Sequence, residues 1–122
     1  MVAAPTKAAF DEAFRALEQC ISNVEQQLDA DGPYFGGSAL SLVDATFAPF
    51  FIRLDSLATI VPVPELSSRM RQWSAALCTH DAVRRSTPDA FEEVFDRFVV
   101  RKGQGGYVDG FREKPLQLLA AQ

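Results

Sequence analysis

The chain has 122 residues, 48% apolar and 23% charged, which suits one folded domain with a real core and excludes intrinsic disorder. Twelve Lys plus Arg against 16 Asp plus Glu leave a net charge of −4. That balance excludes a sequence-independent nucleic-acid binder, which needs a basic surface to neutralise phosphates.

Residues 1–6 read as a loose leader or linker stump. From Lys7 to Ala30, Phe10, Phe14, Leu17, Ile21, Val24 and Leu28 recur in steps of 4, 3, 4, 3 and 4. That is the stripe of a single helix packed on a partner, and Asp31-Gly32-Pro33 is expected to end it. The loop Gly32-Pro33-Tyr34-Phe35-Gly36-Gly37 follows, its two aromatics turned inward.

Ser41-Leu42-Val43-Asp44 has the form of a capping box, in which the residue at the cap and the acid three positions on satisfy each other's backbone donors. The helix it opens carries Leu42, Val43, Ala45, Phe47, Ala48, Phe50, Phe51, Ile52 and Leu54. Apolar positions on nearly every face imply a central helix buried all round, kinked at Pro49. Pro64 suits the first turn of a third helix with the inner stripe Leu66, Met70, Trp73 and Leu77, and with Arg69, Arg71 and Gln72 facing out. Thr79-His80-Asp81 opens a short helical turn through Arg85. Thr87-Pro88-Asp89 signals the start of a last helix, with Phe91, Val94, Phe95 and Phe98 as its stripe to about Val100. Gly103-Gln104-Gly105-Gly106 breaks that helix. The organisation expected is therefore a leader at 1–6, an all-α bundle of about five helices at 7–100 and a flexible tail at 101–122.

The apolar-rich stretch from Gly32 to Ile52 is interrupted by Pro33, Gly36, Gly37, Asp44 and Pro49, so no membrane insertion is expected. No apolar run precedes Phe10, so no secretory signal is read. Two cysteines, Cys20 and Cys78, make no disulfide framework, which suits a cytoplasmic, reducing compartment. His80 is the single histidine, and a metal site needs three or four converging ligands. Both cysteines fall mid-helix or at a helix C-terminus, where the helix dipole opposes a thiolate. No catalytic residue and no metal or cofactor ligand emerges from the residues.

The order of parts is informative. A long stripe helix leads to Gly32-Pro33-Tyr34-Phe35-Gly36-Gly37. Next come Ser41-Leu42-Val43-Asp44, Ala48-Pro49-Phe50, Arg53-Leu54 and the Trp73 helix. Asp81-Ala82-Val83-Arg84 and Thr87-Pro88 close the series. This order resembles the C-terminal helical domain of the cytosolic glutathione transferases, most closely the lambda and omega types, over about Ala8 to Phe98. In that family the box at Ser41 and Asp44 is structural. The resemblance implies that glutathione and its catalytic residue belong to a thioredoxin-like half not read in this chain. Glutathione would be a cofactor only if such a half were supplied. Neither Cys20-Ile21 nor Cys78-Thr79 matches the Cys-Pro nucleophile of the lambda and omega types. The family's domain also opens with one more helix before the long one.

Two functions follow as expectations. One is a stand-alone, non-catalytic binding or protein-interaction module. Its partner would be a protein or a second copy, and it would use the Phe10, Phe14 and Leu17 face. The other is the hydrophobic-substrate half of a lambda- or omega-like transferase that performs thiol transfer or deglutathionylation. A carrier for an apolar small molecule, with a groove near Phe50, Arg53 and Trp73, is a third reading.

Overall fold

Thr6 starts the first helix. Its backbone is extended, and its hydroxyl accepts from the Ala9 N–H at 3.2 Å, satisfying one of the donors that a helix start leaves unpaired. The computed structural model describes residues 1–111 and contains five helices: α1 Lys7–Glu25, α2 Leu42–Ala58, α3 Ser68–Thr79, α4 Asp81–Ser86 and α5 Phe91–Gly103. The architecture is the all-helical one expected. Among the described residues the one sheet-like contact is an isolated bridge between Tyr34 and Gly37.

The helix boundaries depart from the sequence reading for local reasons. α1 stops at Glu25, before Asp31-Gly32-Pro33. Asp29 Oδ1 accepts from the N–H groups of Asp31 and Gly32, both at 2.8 Å, so the aspartate builds a turn in place of another helical turn. Gly32 packs against the backbone of Gly37. A Cβ there would lie 2.2 Å from the Gly37 carbonyl oxygen, which only glycine permits.

α3 begins at Ser68, not near Pro64. The Ser67 hydroxyl accepts from Met70 N–H at 3.2 Å, and Pro64 lies buried in the extended connection. α5 begins at Phe91, after the Thr87-Pro88-Asp89 start signal. The Thr87 hydroxyl donates backwards to the Val83 carbonyl at 3.0 Å, closing α4 where a cap for α5 was expected.

The main core joins Ile21 of α1, Ala48 and Phe51 of α2, Met70, Trp73 and Leu77 of α3, and Val83 of α4. α2 packs against α3 and α5, and α3 against α4. Phe51, Trp73 and Leu77 are fully buried. α2 is nevertheless not buried all round. Leu42 is 84% exposed, and Ala45, Pro49 and Arg53 also face solvent, so one apolar stripe of the helix stays open.

A second cluster joins the segment before α1 to the segment after α5. Ala4, Phe10, Val61 and Val108 form it, with Phe14, Tyr107 and Phe111 packed alongside. Tyr107 N–H donates to the Ala4 carbonyl at 3.0 Å. Gly103 makes the approach close enough, since a Cβ there would lie 2.2 Å from Val108 Cγ2. Residues 1–6 are thus packed where a loose stump was expected. Gly103, Tyr107, Val108 and Phe111 of the expected tail are packed with them, and the rest of that tail from residue 112 lies outside the described residues.

Candidate functional site

Asp44 is fully buried, and its carboxylate takes four donors. Phe35 N–H donates to Oδ1 at 2.9 Å and Trp73 Nε1–H to the same oxygen at 2.7 Å. Ser41 N–H and the Ser41 hydroxyl donate to Oδ2 at 2.8 and 2.7 Å. Burial pushes the carboxyl pKa up, yet the four donors prevail and hold it below the usual carboxylate range. Ser41 and Asp44 face each other in capping-box fashion, the Ser41 oxygen near the Asp44 amide without forming a full cap hydrogen bond. The stronger link is the aspartate reaching back. Asp44 therefore joins the α2 start to the Tyr34-Phe35 loop and to α3. Arg69, expected to face out, turns inward to the same loop: Nε donates to the Asp29 carbonyl at 2.6 Å and Nη2 to the Tyr34 carbonyl at 3.0 Å.

The six residues singled out as a groove or partner surface fall in four places. Phe10 is 4% exposed and sits with Phe14, Tyr107 and Phe111 in the second cluster. That part of the stripe is covered by the segments before α1 and after α5. Leu17 and Phe50 line a crevice of about 250 Å³ between α1 and α2, with Cys20, Val24 and Met70. Trp73 is fully buried against Phe35, Phe47 and Phe51, so it offers no platform to a ligand. Arg53 lies on the opposite side of α2.

Arg53 belongs to a cleft that the sequence did not disclose. Its floor is the open stripe of α2, and its far wall is the α4–α5 connection. At one end, a space of about 430 Å³ is lined by Leu40, Ala45, Pro49, Arg53, Val83 and Phe91 among others. At the other, about 380 Å³ is lined by Asp55, Cys78, Asp89, Glu92 and Asp96. Ile52, Thr87, Pro88 and Phe91 line both, so the two spaces form one trough, apolar at one end and acidic at the other. The feature that builds it is the late start of α5, which leaves Thr87-Pro88 as a rim. The one legible signal was the excess of apolar faces on α2.

Two groups in the acidic end are perturbed. Partial burial pushes the Asp55 carboxyl up, while solvent reaches the residue and screens its charge. Burial first, and the Asp55 carboxylate second, push the Cys78 thiol up, against a Ser74 hydrogen bond that lowers it. Cys78 is therefore held as a thiol, the poorer nucleophile. His80 caps α4, its Nδ1 accepting from Ala82 N–H at 3.1 Å. Among the described residues no helix is long and apolar enough to cross a membrane. No cluster of His, Cys, Asp and Glu among them has the form of a metal site.

No curated protein and no solved structure matches the chain. Residues 7–76 match the family described as glutathione S-transferase, C-terminal domain. That match takes in α1, α2 with the Asp44 anchor, and α3 as far as residue 76, including Met70 and Trp73, and the chain belongs to this family.

Proposed function

We propose that this domain is a non-catalytic binding and interaction module whose α2–α4–α5 cleft takes apolar groups of a ligand or partner. The observation that carries this reading is the pairing of an open apolar trough with four carboxylates and a thiol held protonated. Apolar surface left open in a concave site is the ordinary basis of ligand binding. The carboxylates of Asp55, Asp89, Glu92 and Asp96 disfavour an anion, and glutathione carries net negative charge at neutral pH. The cleft thus suits neutral apolar groups far better than it suits glutathione.

The alternative is that the domain forms the hydrophobic-substrate half of a lambda- or omega-like glutathione transferase, with thiol chemistry supplied by a thioredoxin-like half. The α1–α2 crevice lined by Leu17, Phe50 and Met70 favours it, as an apolar wall suited to a co-substrate. The experiment is fluorescence titration with a neutral apolar dye beside calorimetric titration with glutathione. The dye binds saturably, and Phe91→Asp weakens it by about tenfold. Saturable glutathione binding with turnover would favour the alternative.

A further inference from the structure

The α2–α4–α5 trough is graded along its length. On α2, Ala45, Pro49 and Ile52 line its apolar end, and Asp55, Ser56 and Thr59 line its other end. These positions recur at helical spacing and share one face. The face therefore turns from apolar to polar within one turn of Ile52, about 5 Å. α5 repeats the change: Phe91 lines both spaces, and Glu92 and Asp96 line the acidic one.

No Lys or Arg lines the acidic space. Among the described residues the ion pairs are Lys7–Asp11 and Glu93–Arg97, so Asp55, Asp89, Glu92 and Asp96 stand together with no cation among those residues in contact. Arg53 lies at the opposite, apolar end, and Arg84 and Arg85 line an adjoining space that shares Asp89. Partial burial raises the Asp55 carboxyl, and no neighbouring cation offsets it. The four carboxylates thus set a negative field at one end of an apolar slot. All four are exposed, so the pull of each on a ligand is modest and screened by salt.

We propose that the cleft selects amphipathic organic cations: small molecules with an apolar body and an ammonium group at one end. The inference rests on the cleft being the binding site, and it names the class of ligand that site takes. The apolar body lies against Ala45, Pro49, Val83 and Phe91, and the ammonium sits among the carboxylates of Asp55, Asp89, Glu92 and Asp96. An ammonium carried on a short linker matches the single turn over which the α2 face changes. The two spaces, about 430 and 380 Å³, have the size of small-molecule sites. A neutral ligand of the same shape forgoes the attraction, and an anion is repelled.

Calorimetric titration of the full chain with naphthylethylamine, naphthylethanol and naphthylacetate tests this. The three share an apolar ring system and at neutral pH are a cation, a neutral molecule and an anion. The amine is expected to bind about tenfold tighter than the alcohol, and the acetate more weakly than either. Raising salt from about 0.02 to about 0.5 M shrinks the amine's advantage. Asp55→Asn with Asp96→Asn removes one carboxylate from each side of the trough and lowers the amine-to-alcohol ratio by about threefold or more. Phe91→Asp weakens the alcohol and so reports on the cleft itself. Equal binding of amine and alcohol, or a preference indifferent to salt and to the two asparagine substitutions, would overturn the proposal and leave the cleft as a site for neutral ligands. Binding of none of the three would overturn both.

Discussion

Trp73 Nε1–H donates to Asp44 Oδ1 at 2.7 Å, between two residues that are both fully buried. The bond ties the first turn of α2 to the middle of α3, 29 positions along the chain. Asp44 thereby does more than cap a helix. Its second oxygen closes the start of α2 through Ser41, and its first also holds the loop through Phe35.

Asp44→Ala is expected to destabilise the fold by about 3 kcal/mol, because it strands the buried Trp73 and Phe35 donors. Asp44→Asn is expected to recover only part of this, since the amide NH2 faces the Ser41 donors. Ser41→Ala should cost about 1 kcal/mol. Urea unfolding of the three variants measures the ranking; equal midpoints for Asp44→Ala and native chain would contradict it.

The Asp44 anchor sets an acid limit. Its folded pKa lies below the ordinary value, so its stabilisation is fully present above the unfolded carboxylate pKa of about 4 and is lost as pH falls through the folded value. Thermal unfolding midpoints should fall below about pH 4, and less so in Asp44→Asn. Parallel pH curves for the two proteins would contradict this.

Gly32→Ala is expected to cost about 2 kcal/mol. The new methyl would meet the Gly37 backbone at 2.2 Å, where no flexible side chain can give way. Gly36→Ala, with open space at the same position, serves as the control and should be close to neutral in the same melts.

Cys78 should react slowly with a thiol reagent at mild alkaline pH. Burial and Asp55 keep it protonated, while Cys20 is exposed. The native chain is expected to label in a fast and a slow phase, with Cys20→Ser removing the fast one. Asp55→Asn should speed the slow phase. Loss of the slow phase in Cys20→Ser would reverse the assignment.

Helix stripes were legible wherever a single residue pattern sufficed. The spacing of Ile21 and Val24, and of Met70, Trp73 and Leu77, points to the core these residues occupy. What the sequence hid depends on contacts between distant segments. Asp29 ends α1 through a side-chain turn, and nothing in the apolar period marks that. The Ala4–Tyr107 bond joins the segment before α1 to the one after α5, so Phe10 becomes core where an open face was expected. Trp73 carries a donor that needs an acceptor when buried, but spacing cannot reveal that Asp44 supplies it. The cleft arises because Thr87 turns back to Val83, a choice its start-signal sequence does not disclose.

Binding at the α2–α4–α5 cleft is measured most directly by titrating the native chain with a neutral apolar dye and, separately, with glutathione. The account expects saturable dye binding weakened by Phe91→Asp, and no heat of binding from glutathione. Saturable glutathione binding together with dye binding indifferent to Phe91→Asp would contradict it.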